Sequence, residues 1–370
     1  MSSVAYAARR RWRGDKIVLA AAASGMLVVA ALLVRTGAWS SVALFGVAAA
    51  LGWVFLTASF GYTGAFRNWL ARGDGSGLAA GLLVAAVAAL VIVPVSALVG
   101  GYGGFVAPLG LPAVVGAALF GLGMQLGNGC ASGTLYAAGG GSPRMWVVLP
   151  FFCLGGVLGT LMLPAALSWP TLPAVALGAL LGPWGGLAAT LALVGALCLV
   201  LLRRGPLPDL ARLRVAALIG TLAAAAFLLS GQPWGVTIGL TLWGAKVAAA
   251  LGFPIAQATF WAWDGPRQAL AGSVLAHDSS LMDIGMILGA TAAASWRGSF
   301  RGQAWPPARG VAAAAVGGLL MGVGARLGFG CNIGALVGGI ASGSLHGFLW
   351  FIAVLPGCWL GMRLRPWFRL

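Results

Sequence analysis

Residues 121–133 read GLGMQLGNGCASG, from Gly121 to Gly133, and this stretch decides how the chain is built. It lies inside an apolar segment, 113–141, yet it holds Gly121, Gly123, Gly127, Gly129 and Gly133, two amides (Gln125, Asn128) and Cys130. Glycine weakens a helix and permits the backbone angles a reversal needs, so a helix is expected to break here. The same signature returns in GVGARLGFGCNIGAL, residues 322–336. Gly121, Gly123, Leu126, Gly127, Gly129, Cys130, Gly133 and Leu135 each recur 201 positions later. With one insertion the match resumes, GGVLG (155–159) against GCWLG (357–361). Self-similarity of this kind marks a duplicated structural unit.

The surroundings are those of a membrane protein. The chain has 370 residues, 60% of them hydrophobic and 8% charged, with a mean hydropathy of +0.97. A soluble domain carries about 25% charged residues. The formal net charge is +16, from Arg and two Lys against six Asp and no Glu. Most Arg residues fall at segment ends and in loops, where they anchor to head groups, so nucleic-acid binding is set aside. The scarcity of carboxylates argues against a chain of acidic residues carrying cations or protons, with Asp283 as the exception. Cys130, Cys153, Cys198, Cys331 and Cys358 form no CxxC and no Cys/His cluster, so no metal or cofactor is expected, nor a disulfide framework. ARRRWRGDK (8–16) followed by a long apolar run reads as a first spanning helix rather than a cleaved signal.

Apolar runs suited to spanning helices lie near 17–35, 42–60, 78–99, 145–167, 184–202, 212–230, 236–253, 281–296 and 345–363. The interrupted segments 113–141 and 312–343 are expected to be re-entrant hairpins, because broken backbone at membrane depth must face protein or a cavity. The expected fold is all-α, with about nine transmembrane helices and two re-entrant Gly-Cys hairpins in two inverted repeats. The repeats are 1–170 and 206–370, joined by a linker helix within 171–205. Inversion would bring the two Cys loops together near the midplane. Reading both segments as plain spans gives a parallel repeat instead. Under the hairpin topology the Lys and Arg outside the spans divide almost evenly between the two sides, so orientation is left open.

At a broken helix, a half-helix N-terminus offers free N–H groups and a positive dipole end, an anion site without a charged side chain. Cys130 and Cys331 add a polarizable thiol suited to a soft, sulfur-bearing solute. The candidate substrate contacts are these cysteines with Gly129, Gly330, Gly133 and Gly334 at the breaks. Asn128, Asn332, Arg326 and its counterpart Gln125 join them, as does Lys246, a basic residue well inside an apolar run. Each has a plainer role: Arg326 as a cap on carbonyls, Lys246 snorkelling to an interface, the Asn residues holding the turn. His346 reads as a capping or interfacial residue, and the other cysteines as small hydrophobes.

The paired loops LGNGCASGTL and GARLGFGCNIGAL resemble the YeeE/YedE family of sulfur transport proteins over about residues 40–363. The resemblance implies a multi-pass importer in the bacterial inner membrane for thiosulfate or a related sulfur anion, and not an enzyme. It further implies that cysteine thiols pass the anion along by transient hydrogen bonds, and that a small cytoplasmic TusA-like sulfur carrier is a partner. The family has a third functional cysteine in a stretch similar to SFGYTGAFRN (59–68), where this chain has Gly61. Transport of a selenium compound, or a membrane sulfurtransferase working through a cysteine persulfide, are the alternatives. The persulfide route needs a thiolate, whose pKa a helix N-terminus lowers.

Overall fold

The computed structural model describes residues 3–300 and 304–370, with side chains from Asp15 onward. In the first part lie α1 (Ser3–Arg35), α2 (Trp39–Ala58), α3 (Tyr62–Arg72), α4 (Ser76–Leu98), α5 (Leu111–Gly127), α6 (Ala131–Gly139) and α7 (Pro143–Ala166). Then come α8 (Leu177–Leu202), α9 (Leu210–Ser230), α10 (Thr237–Ala250), the short α11 (Thr259–Ala262) and α12 (Asp264–Ala271), and α13 (Asp278–Trp296). α14 (Ala308–Leu327), a π-helical turn (Asn332–Gly338), α15 (Gly339–Ala341) and α16 (Leu345–Leu364) complete the chain. The strands among the described residues are β1 (Leu109–Gly110) and β2 (Thr171–Leu172), paired antiparallel.

Nine segments of the described residues are long and apolar enough to cross a bilayer, and the protein is a multi-pass α-helical membrane protein. They are not the nine picked out by the apolar runs. Leu111–Gly139 and Ala308–Ala341 are among them, whereas the runs at 236–253 and 281–296 form the shorter α10 and α13.

Close glycine contacts fix the helix directions, as small residues do between membrane helices. α5 and α14 cross antiparallel, with Gly116 against Gly328, Gly123 against Met321 and Gly317 against Gly127. α7 runs parallel to α14, with Gly155 against Leu319 and Gly159 against Val323. α16 runs parallel to α5, with Gly121 against Val354 and Gly361 against Gln125. α2 packs on α13 and α4 on α9. Since α5 and α7 are each fixed against α14, they are antiparallel to one another. The short α6 between them packs on α7, α13 and α2. The re-entrant hairpin is not seen: each interrupted segment is a long helix, a break, and a short helical piece that does not fold back along it. Glycine permits the break but does not set the direction taken afterwards.

The bundle has two distinct ends. At the first, Arg144 at the start of α7 donates to Leu126 O (3.3 Å), and Arg365 beyond α16 donates to Gln125 O (2.7 Å). Gly141 lies against Phe300, beyond α13, and Arg297 donates to Thr57 O (3.0 Å) near the end of α2. Arg212 donates to Ser76 Oγ (2.8 Å), bringing in the starts of α9 and α4. At the opposite end Leu111 N donates to Pro170 O (3.0 Å), Ala176 pairs with Ser344, and Gly103 N donates to Gly231 O (2.9 Å).

Among the described side chains the basic residues are therefore not shared almost evenly. The first end holds Arg67 and Arg72, Arg144, the group Arg203, Arg204, Arg212 and Arg214, then Arg297 and Arg309, and the tail Arg363, Arg365 and Arg369. The second end holds Arg35, Lys246 and Arg267. The even division assumed that 113–141 and 312–343 return to the side they entered. α5 instead runs from one end to the other, which brings Arg144, Arg203, Arg204, Arg212 and Arg214 to the first end, while the short α10 does not cross and leaves Arg267 at the second.

Candidate functional site

Both breaks are built around a cysteine that caps the next helix. α5 ends at Asn128 in the left-handed region (φ 64°), and Cys130 is the N-cap of α6. Its thiol accepts from Gly133 N (3.4 Å) and meets Ser132 Oγ at 3.4 Å, while its carbonyl accepts from Thr134 N (2.7 Å). In the second copy Phe329 (φ 57°) and Gly330 (φ 149°) make the turn. A side chain at Gly330 would also press on Ala335 N at 2.7 Å, so glycine is required there. Cys331 caps the π-helical turn, its thiol accepting from Ile333 N (3.4 Å) and its carbonyl from both Ala335 N (2.8 Å) and Leu336 N (3.1 Å). Both cysteines are buried.

Two cavities approach these capped breaks. One, of about 290 Å³, is lined by Ser59, Gly61, Arg67, Asn128, Cys130 and Tyr136 among others. The other, of about 470 Å³, is lined by Trp234, Thr237, Arg326, Phe329, Gly330 and Gly334 among others. Met145, near the start of α7, borders the first, and Leu163, near its end, borders the second. At ~1.5 Å rise per residue those positions are about 27 Å apart, so the cavities open toward opposite ends of the bundle. Between them α6 packs on the π-helical turn after Cys331. Phe55 fills the centre, its ring 5.7 Å from Tyr136 and 6.0 Å from Trp234. Beyond the Cys130 cavity lies a vestibule of about 410 Å³ that shares Ser59 and Gly61 and reaches Asp74 and Arg212. There the Ser76 hydroxyl, donating to Asp74 Oδ1 (2.6 Å), holds the Asp74 carboxyl below the usual carboxylate range.

The electrostatics are one-sided. Arg326 donates to Thr237 Oγ1 (3.0 Å) while its Nε has no partner. Arg67 donates to Gln125 Oε1 (3.1 Å) and Asn128 Oδ1 (2.7 Å), and Arg365 also reaches Asn128 Oδ1 (3.2 Å). Arg267 forms an ion pair with Asp264 on α12, away from both breaks. The arginines at the breaks are thus held by neutral oxygens.

The breaks bring together Cys130, Gly129, Gly133, Asn128 and Gln125 in one copy, and Cys331, Gly330, Gly334, Asn332 and Arg326 in the other. Asn332 is buried, its Nδ2 on Met124 Sδ (3.2 Å) and its Oδ1 without a partner. Lys246 is placed elsewhere: its Nζ donates to Leu270 O (2.7 Å) and Gly272 O (2.6 Å), tying α10 to the α12 segment. His346 is buried rather than interfacial, and its Nε2 donates to Gly328 O (3.2 Å) at the second break. Arg67, Arg365, Phe55 and Thr237 were not singled out from the sequence. One signal pointed to Thr237: Gly61-Tyr62-Thr63 spans the start of α3, and the similar Gly235-Val236-Thr237 spans the start of α10.

A bundle of membrane helices with two opposed cavities, each reaching toward a broken helix, has the architecture of a membrane transport protein. The chain belongs to the sulphur transport family, whose model matches residues 57–360. It is similar to the probable transporter YedE of Escherichia coli (strain K12), 34% identical over 153 residues, 41% of this chain and 37% of that protein. It is also similar to the thiosulfate transporter TsuA of Spirochaeta thermophila, 28% identical over 279 residues, 66% of this chain and 75% of that protein. The match thus spans little more than a third of YedE's length.

Proposed function

We propose that this protein carries thiosulfate, or a closely related sulfur anion, through the constriction between Cys130 and Cys331. The observation that carries the reading is the pair of buried thiols, each capping a short helical piece, set between cavities that open toward opposite ends. The arginines bordering those cavities have no carboxylate partner, so an anion supplies the missing charge. A thiol donates a weak hydrogen bond to a soft sulfur while the helix N-terminus faces the anion's charge. Similarity to a protein named as a thiosulfate transporter supports this substrate over sulfate or phosphate.

Equivalent helices α5 and α14 pack antiparallel, which supports reading 1–170 and 206–370 as inverted halves, with α8 as the single helix joining them. The concentration of Arg at the first end supports reading that end as cytoplasmic by the positive-inside rule. The Arg326 cavity then faces outward and receives the anion. Cys331 and Cys130 pass it inward, and Arg67 and the vestibule release it on the side where a TusA-like carrier would collect it. The membrane is the bacterial inner membrane in this reading.

Uptake of radiolabelled thiosulfate into cells expressing the chain tests the proposal. Wild type is expected to accumulate label, and Cys130→Ala together with Cys331→Ala to abolish it. Full uptake by the double variant removes the thiols from the path. A persulfide adduct on either cysteine, seen by mass spectrometry after substrate exposure, favours the sulfurtransferase alternative.

A further inference from the structure

Asp283 lies on α13, is fully buried, and neither carboxylate oxygen has a hydrogen-bond partner. It faces α10, where an added Cβ at Gly239 would run into its Oδ2. Gly239 is two residues beyond Thr237, the hydroxyl that holds Arg326. Ser279, one turn before Asp283 on α13, lines the Arg326 cavity. The carboxyl thus sits one turn deeper than the cavity wall, with α13 continuing to its contact with α6 and the Cys130 break.

Among the described side chains, none is placed as a counter-charge for an ionised Asp283 carboxylate. α13 packs against α1, α2, α6, α10 and the turn Val274–Ala276. α2 and that turn carry no titratable side chain, and α6 carries Tyr136. α10 carries Lys246, whose ammonium is engaged by the carbonyls of Leu270 and Gly272. Among the side chains of α1 from Asp15 onward, the titratable ones are Asp15, Lys16 and Arg35. On α13 itself Asp278 lies more than a turn away at the outer end, next to His277. The thiols of Cys331 and Cys153 are the remaining titratable groups within electrostatic reach. A carboxyl in such a place is tolerated when it carries a proton, and intramembrane carboxyls are found where protons are bound and moved.

We propose that Asp283 is a proton-binding site that couples the passage of the anion to the passage of a proton. The inference rests on the transport reading of the two-cavity site. A dianion entering an interior-negative cell moves against the field, and a proton travelling with it cancels one of its two charges. The proton enters from the Arg326 cavity past Ser279 and binds one Asp283 oxygen. It leaves toward the Cys130 side as the anion departs, returning the carboxyl to its starting state without net chemistry.

The test uses the full chain in proteoliposomes loaded with pyranine, given radiolabelled thiosulfate with the outside at the internal pH or made more acidic. Wild type is expected to take up thiosulfate severalfold faster with the acidic exterior and to acidify the lumen as thiosulfate enters. Asp283→Asn is expected to keep downhill uptake while losing both the acid stimulation and the pyranine signal. Thiosulfate uptake by wild type with no proton signal overturns the coupling and leaves the transport reading standing. Absence of any wild-type uptake overturns both. Asp283→Asn that retains the proton signal overturns the assignment to this residue. A measurement on wild type alone guards against misfolding of the variant: dicyclohexylcarbodiimide, which attacks protonated carboxyls in apolar surroundings, is expected to label Asp283 and to slow acid-stimulated uptake. Failure to label Asp283 while acid-stimulated uptake persists places the proton site elsewhere.

Discussion

Gly116 and Gly328 lie back to back where α5 crosses α14, so close that a methyl group on Gly116 would strike the Gly328 backbone nitrogen. The repeat-related contact is Gly317 against the nitrogen of Gly127. Gly116→Ala and Gly317→Ala are each expected to destabilise the protein by about 1–3 kcal/mol, the usual range for overpacking. Gly46→Ala is the control, since its added Cβ would meet nothing within 4 Å. Thermal unfolding in detergent should separate the two classes. Equal melting of Gly116→Ala and wild type would show that the crossing has room for a methyl group.

Arg326 and Lys246 are both basic residues in apolar segments, but they are expected to separate in assay. Arg326 borders the second-end cavity with its Nε free, so Arg326→Ala should raise the half-saturation concentration for thiosulfate. Hydrogen bonds to charged groups contribute about 1.5–3 kcal/mol, which corresponds to roughly tenfold or more. Lys246→Met removes the ties to Leu270 and Gly272, so it should lower thermal stability and leave the half-saturation concentration unchanged. The reverse pattern would exchange their roles.

Gly61 borders the Cys130 cavity, with its backbone extended (φ −161°), a conformation open to any residue. An added Cβ would meet one neighbour, Tyr136 Oη, at 3.0 Å. Gly61→Cys is therefore expected to fold and to take up thiosulfate at no less than the wild-type rate. Its new thiol should react with small thiol reagents in a Cys130→Ala background. An unfolded variant would mean that the space beside Tyr136 is not available.

Orientation is open to a direct measurement. A fluorescent protein fused after Leu370 is expected to mature in the cytoplasm. A cysteine introduced at Gln257, in the segment between α10 and α13, should react with a membrane-impermeant maleimide on intact cells, and one at Arg204 should not. Labelling of Arg204→Cys but not Gln257→Cys would reverse the direction of import.

The residues that make the breaks were legible in the sequence because Gly127, Gly129, Cys130 and Gly133 repeat as identities in the second half. The course of the chain beyond each break was not. Glycines announce that a helix stops, but the later path depends on what α6 packs against, and α13 and α2 are far from it in sequence. The second pair, Gly61-Tyr62-Thr63 with Gly235-Val236-Thr237, escaped notice because the extra segment after α10 shifts it out of register with the Cys repeat. Lys246 and His346 each kept two readings from the sequence, and the capping reading of His346 fits its bond to Gly328 O. A chain alone shows neither the carbonyls that occupy the one nor the burial of the other.

Arg67, Arg144, Arg326 and Arg365 rest on amides, a hydroxyl and carbonyl oxygens rather than on carboxylates. Fixed cations without fixed partners recruit diffusible ones, and in a cell the abundant choice is chloride. Every arriving dianion then enters by exchange, evicting ions already resident in the cavity. Ambient halide accordingly becomes a competitor, and replacing chloride with a bulky organic anion should quicken uptake at low thiosulfate while leaving the saturated rate unaltered.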